Sequence, residues 1–246
     1  PTNILILLIF VLWDVKSFKE LWQRIILYLN NWKLVLIMIV AFILVWVPQF
    51  VYWKMQTGHF FYYSYPDDQG FFFNNPQIFN NLFSWRKGWL LYTPVMAFAL
   101  IGIFFLWKNF RKFFIPILVF TVFVIYVISS WWDWWYGGGF GIRAYIDLYG
   151  VFAIPIAAFL SWGFSLKRYA RVVVLAVFLL VAVRSSFHHM QYHYGAVHWD
   201  SMTREAFFDS FWRMGASNEF PDLIRNPDYQ LARKGIYKYA DESDEK

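Results

Sequence analysis

Long apolar runs alternating with short basic loops set the pattern of this chain. Residues 34–52, 90–107, 113–130, 148–164 and 172–187 carry almost no charge. At about 1.5 Å per helical residue against a hydrocarbon core of about 30 Å, each run is of spanning order, the last two being short. Residues 4–13 are also apolar but too short to cross. No methionine or basic segment precedes them, so they read as the tail of a truncated spanning helix and not as a signal peptide. On this reading the chain is the C-terminal part of a larger protein. The expected fold is all-α: a polytopic helical membrane protein with about five complete transmembrane helices and a truncated N-terminal one. Residues 1–187 are expected to form the bundle and 188–246 an external tail.

Two shorter stretches show helical periodicity of a different kind. In residues 14–33, Phe18, Leu21, Trp22, Ile25, Ile26 and Leu29 recur on one face among basic residues, which predicts an interfacial helix lying in the membrane surface. Residues 200–215 pair Phe207 with Phe211 and Phe208 with Trp212 at i, i+4, with Asp200 and Ser201 as expected caps. The end, 241–245, is acidic and expected to fray.

The loops orient the spans. Lys16, Lys19, Arg24 and Lys33 lie in the first, Lys108, Arg111 and Lys112 in the second, and Lys167, Arg168 and Arg171 in the third, whereas the intervening loop 131–147 has only Arg143. This alternation puts the basic loops in the cytoplasm and the aromatic loops and C-terminal tail outside. The composition agrees: 59% of residues are apolar and 15% charged, mean hydropathy is +0.40, and a soluble domain is about a quarter charged. A net charge of +6 would suit nucleic acid, but the basic residues form neither one face nor one run. With no cysteine, disulfides and thiolate chemistry are excluded.

Candidate chemistry gathers on the external side. Trp131, Trp132, Trp134, Trp135 and Tyr136 lead into Gly137, Gly138, Gly139 and Gly141. Trp and Tyr suit the membrane–water boundary, and the glycines permit a sharp bend. Asp133 and Arg143 are an isolated charged pair in this setting, where charge is costly without a partner or a role. Arg143 suits a phosphate or carboxylate, or an internal ion pair with Asp133 or Asp147. The long connection 54–87 carries Asp67 and Asp68, which either divide acid and base roles and bind a divalent cation, or form a turn in Pro66-Asp67-Asp68-Gln69-Gly70. Arg86 and Lys87 serve either a lipid phosphate or helix-end anchoring. His189-x-x-x-His193 has metal-binding spacing on a helix, against the plainer reading of interfacial histidines beside Tyr192 and Tyr194. The glycines lack the Lys-Ser/Thr of a phosphate-binding loop.

Leu82-Phe83-Ser84-Trp85-Arg86-Lys87-Gly88-Trp89-Leu90-Leu91-Tyr92-Thr93-Pro94 before an apolar run, followed by 131–143, resembles the later half of bacterial GT-C glycosyltransferases. These are the multi-spanning enzymes related to protein O-mannosyltransferases and lipid A aminoarabinose transferases. Gly195-Ala196-Val197-His198-Trp199-Asp200-Ser201-Met202-Thr203-Arg204-Glu205-Ala206-Phe207 looks like tails of uncharacterised bacterial relatives. The resemblance implies transfer of a sugar from a polyprenyl-phosphate donor to a glycan, lipid or protein acceptor at the outer face of the bacterial plasma membrane. It implies that Arg143, with Arg86 or Lys87, holds the lipid phosphate, and that Trp131, Trp132, Trp135 and Tyr145 stack on the prenyl chain or sugar. The family's acidic base lies in its first external loop, a position nothing here matches. Asp67 and Asp68 are weak substitutes for it. The competing functions are a lipid-linked sugar transporter or flippase and a non-catalytic subunit of an envelope complex.

Overall fold

The computed structural model describes residues 2–66 and 68–238. Their regular structure is helical, with no strand among the described residues and isolated bridges joining Phe71 to Trp131 and Gly195 to Gly215. Contacts divide the chain into two units, Asp14–Gln69 and Pro1–Trp13 with Gly70–Lys246. The chain opens with a 3-10 turn, Thr2–Ile6, and α1, Leu7–Leu12. Both belong to the second unit.

The unit Asp14–Gln69 consists of α2, Phe18–Asn30, and α3, Trp32–Thr57, with the loop that follows. A capping box starts α2: Ser17 Oγ accepts the Glu20 N–H at 3.2 Å, and the Glu20 carboxylate accepts the Lys16 N–H at 2.8 Å. α3 is apolar all round and has no buried residue. It stops at Gly58, whose left-handed φ of 78° provides the C-terminal cap.

The second unit builds its core around α4, Ile78–Phe83, α5, Trp89–Tyr92, α6, Ala97–Asn109, α7, Arg111–Ser129, and α8, Tyr149–Ser165. Phe120, Val124 and Ile128 of α7 meet Trp89, Ala99, Tyr145, Leu148 and Phe152, with Leu5, Ile6 and Ile9 packed against them. α9, Arg168–His193, follows, then the short α10, Arg204–Ser210, α11, Phe220–Leu223, and α12, Tyr229–Ala232.

Among the described residues, four helices are long and apolar enough to cross a membrane: Trp32–Thr57, Arg111–Ser129, Arg143–Ser165 (a 3-10 turn running into α8) and Arg168–His193. The expected span at 90–107 is interrupted, because Thr93 leaves the helix at φ −128°, ψ 61° and a 3-10 turn, Pro94–Met96, intervenes. Proline lacks an N–H and disfavours helical backbone in the residue before it. The apolar helical stretch that remains, Pro94–Lys108, is shorter.

The residues beyond 187 share cores with earlier parts of their unit. Val197, Met202, Phe207 and Phe220 share a core with Tyr92, and Ala232 shares one with Trp132, Trp134 and Trp135. Side chains of this kind gain by burial, so the C-terminal stretch folds onto the rest of its unit.

Gly102 marks a close approach of α6 to α8: a Cβ there would lie 2.0 Å from the Pro155 carbonyl oxygen. Gly102→Ala must push the helices apart and is expected to cost about 1–3 kcal/mol or more. A lowered unfolding midpoint in detergent checks this. An unchanged midpoint would mean that the helices separate freely.

Candidate functional site

The aromatic loop 131–142 is held from three directions. Asn81, fully buried on α4, donates to the Trp134 carbonyl at 2.9 Å and accepts the Tyr145 hydroxyl at 2.7 Å. The backbone of Ser129, Ser130 and Trp132 pairs with that of Gln77, Phe72 and Gly70. Lys87 then clamps the turn from inside. Its ammonium donates to the Gly139 carbonyl, to the Trp199 carbonyl at 2.8 Å and to the Tyr136 carbonyl at 3.4 Å. All three of its protons are thus engaged by backbone oxygens. Lys87 is 2% exposed.

Within the loop, the Gly137 N–H donates to Asp133 Oδ2 at 3.1 Å. The other carboxylate oxygen, Oδ1, is buried and has no hydrogen-bond partner among the described residues. Gly137 is pressed against its neighbours, since a Cβ there would lie 3.0 Å from the Tyr229 hydroxyl and 3.3 Å from the Trp199 ring. Gly138 turns the chain with φ at 82°, as the glycine run led us to expect. Arg143, at the start of its 3-10 turn, is exposed and runs its stem beside Gly139.

A second carboxylate stands behind the clamp. Asp200 is 1% exposed. It accepts hydrogen bonds from Tyr229 at 2.6 Å and Ser201 at 2.5 Å, while His198 Nδ1 lies 3.1 Å from its Oδ1. That nitrogen also faces the Ser201 N–H at 3.1 Å. Protonated, it donates to the carboxylate; unprotonated, it accepts the amide. Ser201 Oγ also lies 2.7 Å from Asn226 Oδ1. One hydroxyl proton cannot serve both acceptors fully, and turning the Asn226 amide resolves the conflict by letting it donate to Ser201. Arg86 donates to the Asp200 carbonyl at 2.8 Å, with its guanidinium 5.4 Å from the Trp135 ring centre.

These charges perturb one another. Burial pushes the Lys87 pKa down to about 8, and Arg143 acts in the same sense, while Asp133 and Asp200 oppose it. Burial pushes Asp133 up to about 6, against the Gly137 N–H and the positive charge of Lys87. Burial also works against an ionised Asp200, but the hydrogen bonds from His198, Ser201 and Tyr229 outweigh it and hold that carboxyl below its usual range. The two acids therefore differ in kind. Asp200 is satisfied and stays ionised, whereas Asp133 has a spare oxygen and is pushed up to about 6.

The residues singled out in the sequence are distributed unevenly over this site. Asp133 and Arg143 flank the turn; the ion pair between them, one of the alternatives for Arg143, is not formed among the described residues, where Asp133 bonds to Gly137 and Arg143 is exposed. Lys87 and Arg86, which the resemblance assigns to a lipid phosphate, are buried; Lys87 donates to three backbone carbonyls and Arg86 to that of Asp200. Trp132, Trp135 and Tyr145 are buried core residues, and Tyr145 stacks on Trp89 at 4.0 Å. Trp131 is half-buried and meets Phe71 edge-on at 4.8 Å. Asp68 is exposed and Asp67 lies outside the described residues. His189 and His193 pack against Phe140 and Tyr194 respectively. No group of three His, Cys, Asp or Glu residues with metal-site geometry occurs among the described residues.

Asp200 and Ser201 were expected to cap a helix. The helix starts later, with Thr203 Oγ1 accepting the Ala206 N–H at 3.1 Å. Asp200 instead faces Tyr229, to which no local sequence signal points. The loop, the clamp and the C-terminal stretch meet only through contacts between residues far apart in the chain. Comparison with protein-family models, with curated proteins and with solved structures finds no match to this chain.

Proposed function

We propose that this protein is an integral-membrane glycosyltransferase of the GT-C type, moving a sugar from a polyprenyl-phosphate donor to an acceptor hydroxyl at the outer face of a bacterial plasma membrane. The observation that carries this reading is the pairing of unlike groups at one turn. Asp133 keeps an unpaired carboxylate oxygen and titrates near 6, beside the exposed guanidinium of Arg143. A base titrating near its working pH is suited to taking a proton, and a guanidinium is suited to a phosphate. The apolar helices long enough to span and the resemblance of 82–94, 131–143 and 195–207 to GT-C enzymes support it further.

In this reaction the acceptor oxygen attacks the anomeric carbon and its proton passes to the Asp133 carboxylate. The bond from that carbon to the phosphate oxygen breaks, and polyprenyl phosphate leaves with the bonding electron pair. Arg143 offsets the charge that gathers on the leaving phosphate, an effect that grows where water is excluded. Arg86 and Lys87 act as positioning residues that keep the turn in shape.

The test is transfer from radiolabelled polyprenyl-phosphate sugars in membranes containing the full-length protein. Arg143→Ala is expected to lower transfer by about 10²–10³-fold at an unchanged protein level. Unaltered transfer would remove Arg143 from the donor site. A second reading, a transporter for lipid-linked sugars, is favoured by one observation, the break between α5 and α6 at Thr93 and Pro94, because interrupted helices line the sites of such carriers. Donor movement across the membrane without transfer would select it.

A further inference from the structure

We propose that α2 and the first turns of α3 form a binding surface for anionic phospholipid. The inference rests on reading α3 as a spanning helix and is independent of glycosyl transfer. At 3.6 residues per turn, Phe18, Trp22, Ile25, Ile26 and Leu29 share one face of α2. That face is largely uncovered within its unit: Phe18 is 81%, Leu29 68% and Trp22 57% exposed, while Ile25 is half-buried. Lys19 flanks one edge of the apolar sector, which is where a long basic side chain reaches from a buried stem to a headgroup, and Arg24 lies on the polar side of the helix.

The charge is one-sided. The single acidic residue of α2, Glu20, turns back to accept the Lys16 N–H and completes the helix start. Asn31 alone separates α2 from α3, so an α3 that enters the bilayer leaves α2 at its surface. At the elbow, Tyr28, Leu29, Trp32, Val35, Leu36 and Ile39 line an almost wholly apolar groove, and Lys33 Nζ stands 6.0 Å from the Trp32 ring centre. An acyl chain fits the groove, and a phosphate fits the cation above it. Apolar lining with basic groups at its edge complements an anionic lipid better than a zwitterionic one.

The absence of cysteine allows a clean test. The full chain carrying Phe18→Cys is labelled with an NBD fluorophore at that thiol and reconstituted in vesicles of phosphatidylcholine and phosphatidylglycerol. One lipid or the other carries brominated acyl chains at equal mole fraction. Brominated phosphatidylglycerol is expected to quench at least about twofold more strongly than brominated phosphatidylcholine. The preference should shrink at about 1 M salt, where the screening length falls to about 3 Å, and should vanish when Lys19, Arg24 and Lys33 are all changed to Gln. Equal quenching by the two lipids overturns the proposal. So does the lack of quenching by either, the result if a protein partner or a second copy covers this face. Neither outcome bears on transfer activity, which is scored separately through Arg143→Ala.

Discussion

Asp133→Asn is expected to reduce glycosyl transfer by about 10²–10⁴-fold and at the same time to stabilise the protein. The amide can still accept the Gly137 N–H but cannot take a proton from an acceptor hydroxyl. The gain in stability follows from linkage. Burial raises the Asp133 pKa from 3.8 to about 6 in the folded state, so between those values the folded protein binds more protons than the unfolded chain, and its stability falls as pH rises. Above pH 6 the full cost of the buried charge is present. Removing it should yield about 1–2 kcal/mol near pH 7, allowing for the solvent that reaches the side chain. Thermal unfolding in detergent at several pH values checks this. The advantage of Asp133→Asn should be smallest at pH 4, grow to about pH 6 and then level off. A variant that is less stable at every pH would make Asp133 a structural residue and not a base. Wild-type transfer should rise with pH through about 6.

Lys87→Met is expected to destabilise the protein by about 3–5 kcal/mol, because a buried ionic cluster that loses one partner leaves the others uncompensated. Methionine fills much of the space but donates nothing. The Tyr136, Gly139 and Trp199 carbonyls lose their shared donor, and Asp133 and Asp200 lose the nearby positive charge. Since Lys87 ties the aromatic turn to the C-terminal stretch, limited proteolysis around residues 195–203 should accelerate together with the fall in unfolding midpoint. A loss below about 1 kcal/mol would mean that desolvation of the ammonium cancels its hydrogen bonds. The folded pKa of about 8 lies below the ordinary lysine value of 10.5. Between them the unfolded chain binds more protons, so the wild type gains stability relative to Lys87→Met as pH rises across that window.

The apolar helices were legible in the chain because each draws on a contiguous run. α3 and α9 cover the expected runs at 34–52 and 172–187, and α7 and α8 cover all but one residue of those at 113–130 and 148–164. The run at 90–107 contained its own contrary signal in Pro94, whose effect on Thr93 is local backbone sterics. The helical periodicity of α2 was equally visible. The turn at 137–141 could be anticipated because glycine alone tolerates φ near 82° at little cost.

The roles within the site were not legible, because residue type does not reveal burial. Lys87 and Arg143 are both cations beside aromatic residues, yet one is sealed among carbonyls and the other is exposed. Trp135 and Tyr145 have the composition of a ligand-stacking face and are core. Asp200 has the spacing of a helix cap, but Tyr229, 29 residues on, takes its carboxylate. Sequence by itself determined which segments are helical and apolar, because propensity and periodicity act over neighbouring residues. Only the tertiary structure decided which charges are clamped and which carboxylate is left to titrate. Those outcomes depend on desolvation and on partners such as Lys87 and Trp199, 112 residues apart, that nothing short of the folded chain brings together.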